Sequence, residues 1–133
     1  MIMKMFIENE SIYGFNDTVE KLSESIVSNG WKVTHVHDLH ETLKKNNFDV
    51  LPVKVLEVCR PDYSVKLLRN DSERIYSSLM PCRLSVYETS DGKTKISRMN
   101  SGVLAAQIGG IVEEVMSVAF SDMENILKQY IKN

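Results

Sequence analysis

The sequence predicts an α+β two-layer sandwich: a mostly antiparallel sheet covered by helices and closed by a long C-terminal helix. Three observations carry this. Alternating, β-branched runs interleave with helical spacings through the first half of the chain, Ser90-Asp91-Gly92 separates two alternating runs as a hairpin loop does, and the final segment bears one broad apolar stripe. At 133 residues the chain fits a single domain, 1–133, burying roughly two-thirds of its unfolded surface.

The elements follow in order. Met3 to Glu8 reads as a strand. A helix opens at Phe15-Asn16-Asp17, with Asn16 or Asp17 as cap and Glu20 placed as in a capping box; Phe15, Val19, Leu22 and Ile26 share a face, and Asn29-Gly30 stops it. Trp31 to His37 alternates as a strand, putting Trp31, Val33, His35 and His37 on one side. Asp38 caps a short helix, Leu39 to Lys45, ended by Asn46-Asn47. Pro52 then begins the run to Cys59, apolar on both faces and therefore central. Beyond Pro61, helical pieces at Tyr63–Leu68 and Glu73–Leu79 flank the break at Asn70-Asp71-Ser72, and Pro81 stops the second. Cys82 to Glu88 and Lys93 to Met99 form the hairpin strands. Asn100-Ser101 caps a short helix, Gly109-Gly110 breaks it, and Ile111 to Ile131 is the closing helix. Its stripe is Val112, Val115, Met116, Ala119, Met123, Ile126, Leu127 and Tyr130. Ile111, Val118 and Phe120 lie off it, which fits either a buried helix or a dimer contact.

Composition narrows the function classes. Apolar residues are 43% and charged residues 26%, ordinary globular usage. With 16 basic and 18 acidic side chains the net charge is −2, so there is no electrostatic case for nucleic acid or an anionic membrane as partner. The apolar start is interrupted at Lys4 and Glu8, too short for a signal peptide or spanning helix, which makes cytoplasm the expected location. There is no Gly-rich phosphate loop, no G-x-S-x-G elbow and no H-E-x-x-H, which disfavours nucleotide hydrolysis and serine chemistry.

An ordered set of motifs remains: Val36-His37-Asp38-Leu39, Glu57-Val58-Cys59-Arg60-Pro61, Leu79-Met80-Pro81-Cys82-Arg83, Val86-Tyr87-Glu88 and Asp91-Gly92-Lys93. Together they resemble the domain-of-unknown-function 302 family over nearly the whole chain. The resemblance implies a small α/β sandwich that associates as homodimers and has no established activity. The chain looks like the cysteine-containing branch; other members carry Gly-Asn-Pro or similar in place of Cys59-Arg60-Pro61. A fold that persists without the thiols favours a chemical role for them.

Cys59 and Cys82 are the only cysteines, and in a reducing compartment they are buried hydrophobes, metal ligands or redox groups rather than a permanent bridge. If the strands ending at His37 and Cys59 are parallel, and the strand beginning at Cys82 is antiparallel to both, all three residues reach one sheet edge. Side-chain parity permits them to face one side. His37, Cys59 and Cys82 are therefore the candidate metal ligands, for zinc or another transition-metal ion, with an open fourth position. Glu57, two residues before Cys59, is a weaker candidate ligand or base, since pairing with Arg83 or Lys54 explains it better. His35 and His40 complete a histidine cluster, but the resemblance places its His-Asp-Leu at His37. A thiol redox or sulfur-transfer protein is the enzymatic alternative, with Cys59 or Cys82 as nucleophile, His37 as base, and Arg60 and Arg83 favouring thiolate. A non-catalytic dimeric module with buried cysteines is the third reading. Whether the protein is an enzyme, and which small ligand it takes, the residues leave open.

Overall fold

The computed structural model describes residues 4–133. Five strands, β1 (Phe6–Glu10), β2 (Lys32–Asp38), β3 (Val53–Cys59), β4 (Cys82–Glu88) and β5 (Thr94–Met99), form one sheet in the order β1-β5-β4-β3-β2, antiparallel at every junction. The helices are α1 (Phe15–Ser28), α2 (Leu39–Lys45), α3 (Pro61–Leu68), α4 (Ser101–Ile108) and α5 (Gly110–Leu127). A 3₁₀ segment, Arg74–Leu79, replaces the second predicted helix after Asn70, and Lys128–Tyr130 continues α5. The expected α+β architecture is the one observed. The predicted first strand starts later than expected, at Phe6, and its Met3 lies outside the described residues.

Local chemistry explains most boundaries. Asp38 caps α2, its carboxylate accepting from the Glu41 amide at 3.0 Å. Pro61 stands in the first turn of α3, where its missing N–H costs nothing. Gly92 takes φ 83° in the β4–β5 turn, a conformation that favours glycine. The caps predicted for α1 are absent: the helix begins at Phe15, with Gly14 as cap and Asp17 inside the first turn. What fixes that entry instead is Thr18, fully buried and hydrogen-bonded to the equally hidden Ser11 hydroxyl at 2.7 Å.

Leu22 and Ile26 of α1, Leu56 and Val58 of β3, Leu84 and Val86 of β4, Ile96 of β5 and Leu127 of α5 make one core between the helices and one face of the sheet. A smaller cluster joins Leu67, Val112 and Val115, with Ile111 packed on it. Phe120 reaches α4, where a Cβ on Gly102 would stand 3.2 Å from its ring. The two largest off-stripe residues of α5 are thus used inside the fold, and Val118 alone of the three stays about half exposed.

Two features of β2 depart from the sequence reading. Its neighbour β3 runs antiparallel to it, not parallel. A bulge between Val33 and His35 adds Thr34, so Val33 pairs with core-facing Val58 while His35 pairs with Glu57 and His37 with Val55 on the outer face. Trp31 and Val33 pack into the core, and the two histidines do not share their side.

Candidate functional site

Cys59 ends β3, where Arg60 turns the chain into α3; Cys82 starts β4, paired with Val58. The two cysteines therefore stand at the same end of adjacent strands. His37 does not join them: in the antiparallel register it is opposite Val55, four residues from Cys59, or roughly 13 Å along the strand. The convergence of His37, Cys59 and Cys82 rested on parallel pairing of β2 with β3, and the bulged antiparallel ladder instead sets His37 opposite Val55, with its imidazole reaching the middle of β3 on the outer face. There its Nε2 lies 2.9 Å from Glu57 Oε1, and its ring meets that of His35 at a tilt of 60°, centroids 4.2 Å apart. Glu57 also holds Arg83, Nε to Oε1 at 3.4 Å. The hydrogen bond to His37 is the main cause that holds the Glu57 carboxyl below the usual glutamate range, with the charges of His37 and Arg83 adding to it. In this structure the carboxylate is paired with His37 and Arg83. Among the described residues, no group of three or more His, Cys, Asp or Glu side chains could hold a metal ion.

The parity expected for the thiols also changes. Leu84 pairs with Leu56, so Cys82 begins on the core-facing side, whereas Cys59 alternates with the outer-face residues Val55 and Glu57. At the sheet's end both nevertheless line one small cavity of about 50 Å³, with Trp31, Tyr63, Met80 and Met116 among its walls. Cys59 Sγ lies 3.3 Å from Ser64 Oγ. Cys82 is exposed as a residue, yet desolvation of its sulfur pushes the thiol up, and the neighbouring Cys59 raises it further. Neither arginine works against this. Arg83 is held by Glu57, and Arg60 bonds Asp62 at 3.1 Å, lies 3.6 Å from Asp122 and stacks over Tyr63 at 4.6 Å. The Tyr63 hydroxyl donates to Asp122, which together with burial pushes its own pKa above the usual tyrosine value.

Beside the small cavity is a larger one of about 360 Å³, whose walls include Trp31, Met80, Cys82, Met116, Phe120 and Met123. Two residues of this region carry signals that the sequence reading missed. Trp31 is only 4% exposed, and its Nε1–H has no hydrogen-bond acceptor among the described residues. Arg98, on β5, is buried in the wall, where Glu124 of α5 grips it twice, at 2.8 and 2.7 Å, and Asn9 of β1 accepts its remaining arm at 2.8 Å. A lone tryptophan following a helix stop and an arginine with core-facing spacing in β5 were the available sequence signals, but their partners lie far away in the chain.

No protein with a curated description matches this chain. Among solved structures, it is similar to an uncharacterized conserved protein from Bacillus stearothermophilus, with a TM-score of 0.84 and 24% identity over 96% of this chain and 98% of that one. That likeness speaks for the fold. No helix of the described residues is long and apolar enough to cross a membrane. The description "Domain of unknown function DUF302" matches residues 7–130, nearly the whole sheet and its helices, and the chain belongs to that family.

Proposed function

We propose that the protein binds a soft, low-coordinate metal ion of the Cu(I) class through Cys59 and Cys82, with Met80 as a thioether donor. The observation that carries the reading is that both cysteines and Met80 line one cavity at the end of β3 and β4. Thiolate and thioether sulfur select such ions, whereas zinc asks for four nitrogen, sulfur or oxygen ligands, and the His37 imidazole is engaged by Glu57. Spacing separates this reading from the redox alternative. Cys82 pairs with the residue before Cys59, so their Cα atoms are roughly 6 Å apart by strand spacing and rise. Their side chains start toward opposite faces, which disfavours an S–S bond of about 2 Å. A bridging ion spans about 4.5 Å between sulfurs, twice a typical metal–thiolate bond, and tolerates that divergence.

Anaerobic protein loaded with Cu(I) against a competing chelator should retain about one ion per chain. Cys59→Ser and Cys82→Ser should each lose it, and His37→Ala should keep it. Retention by both serine variants, or none by the native chain, refutes the proposal. Association of two copies, which the family resemblance implies, is a separate proposal. Its support is the pair Phe6 and Met99, register partners across β1 and β5 that are both exposed. Sedimentation showing only monomer at tens of micromolar removes it.

A further inference from the structure

We infer that the 360 Å³ cavity is a binding site for a small amphipathic carboxylate, its anionic head on Arg83 beside the hydroxyls of Ser85 and Ser97, its compact apolar body on the remaining walls. The inference does not rest on the metal proposal, which needs the two thiols; this ligand needs the guanidinium.

Three observations carry it. The first is where the polar groups lie. Leu84, Val86 and Ile96 fill the core, so Arg83, Ser85 and Ser97 project from the other face of β4 and β5. Ser85 pairs with Ser97 across the ladder, and Arg83 is two residues before Ser85 on the same strand. The three therefore stand side by side, and all of them line the cavity.

The second is what these groups lack. The Arg83 side chain is 65% exposed and has a single contact, Nε to Glu57 Oε1 at 3.4 Å, on an oxygen that already binds His37 at 2.9 Å. The rest of the guanidinium fork makes no hydrogen bond among the described residues, nor do the hydroxyls of Ser85 and Ser97. Glu57 is not part of the cavity wall. The charged residues that are, Arg83, Arg98 and Glu124, carry two positive charges against one negative, and Arg98 takes both Glu124 oxygens. One spare guanidinium balances the single charge of a carboxylate and matches its planar fork, whereas a phosphate monoester brings nearly two charges.

The third is the remaining wall. Val55, the partner of Ser85 on β3, lies beside the serines, and Met80, Met116 and Phe120 add thioether and aromatic surface. Such walls offer nothing to a wholly polar anion and cover a hydrocarbon body. The volume falls at the lower end of the range for small-molecule sites, which keeps that body compact.

Metal-free, full-length protein is titrated by calorimetry with three probes. Cyclohexanecarboxylate carries head and body, cyclohexanecarboxamide keeps the shape without the charge, and acetate keeps the charge without the body. Phe6 and Met99, the proposed contact between two copies, also border the cavity, so all titrations share one protein concentration. Expected are saturable binding of cyclohexanecarboxylate, binding of the amide about tenfold weaker, the scale of one charge-assisted hydrogen bond, and acetate too weak to saturate. In Arg83→Gln the carboxylate should fall to the affinity of the amide. If that variant fails to fold, the comparison of the three probes on the native chain still decides. No saturable binding, equal affinity for carboxylate and amide, or acetate as tight as cyclohexanecarboxylate overturns the inference, as does undiminished carboxylate binding in Arg83→Gln.

Discussion

Removing Glu124 should loosen the wall of the larger cavity and the fold together. Its carboxylate makes both of its bonds to Arg98, whose side chain is 6% exposed against 25% for Glu124. Breaking a fully buried pair from one side costs about 3–5 kcal/mol, because the charge left behind has lost both water and partner. Water reaches the Glu124 side, which reduces the figure for Glu124→Ala to about 2–3 kcal/mol. For a chain of this length that corresponds to a fall in Tm of roughly 10 °C. Arg98→Met should cost less, since the abandoned carboxylate is the more solvated partner and the methionine keeps the buried stem filled. In Arg98→Met/Glu124→Ala no charge is stranded, and stability should return much of the way to native. Thermal unfolding of all four proteins closes a double-mutant cycle with an expected coupling of about 1–3 kcal/mol. Additive losses, or a Tm change for Glu124→Ala within about 2 °C of native, would refute the claim that this pair clamps α5 to β5.

Two further outcomes follow from ionisation. The Glu57 carboxyl, titrated by carbon NMR, should ionise below the usual glutamate range and move back up in His37→Ala, because the hydrogen bond to His37 is the first cause of its depression. By linkage its contribution to stability is present above the unfolded-state glutamate pKa and is lost as pH falls through the depressed folded value; an unchanged Glu57 midpoint in His37→Ala would contradict this. In metal-free protein, the pH midpoint for alkylation of Cys82 should lie above that of an ordinary thiol, with burial as the larger cause and Cys59 as the smaller. Cys59→Ser should therefore bring it only part of the way down, and a midpoint at or below the ordinary value would show that the thiol is not desolvated.

Local signals made much of the fold legible. The Asp38 cap, the Asn29-Gly30 stop, Pro61 in the first turn of α3 and the Asp91-Gly92 turn each act within a few residues, and the structure contains each element they delimit. The errors arose where distant partners decide. The connection from Leu39 to Pro52 is long enough for either a crossover or a return, so length alone did not distinguish parallel from antiparallel pairing of β2 and β3. Thr34 gave no sign of a bulge, yet one inserted residue reverses the faces of His35 and His37 relative to Trp31. The proximity of Cys59 and Cys82 was legible because it needs only β3 and β4 to be adjacent and antiparallel. The role of His37 needed the register of a second ladder.

That register divides the sheet into two chemically different ends. Cys59 pairs with Lys32, the residue after Trp31, and Val58 pairs with Cys82, so three consecutive strands deliver indole and both thiols to one place. Met116 and Ala119 of α5 help line both cavities there. Toward the opposite end, His37 with Glu57 and Asp38 with Lys54 at 3.9 Å form a charged, partly solvated border. Water at that border screens charge and hydrogen-bonds any group left over, so histidine and carboxylate can be satisfied without a ligand. At the end holding Trp31 and the thiols the situation is mixed: Cys82 is exposed and Cys59 half-buried, while the indole N–H is shut off from water. A soft cation arriving there must displace the Cys82 proton, which the raised thiol pKa makes harder, so its binding should strengthen as pH rises.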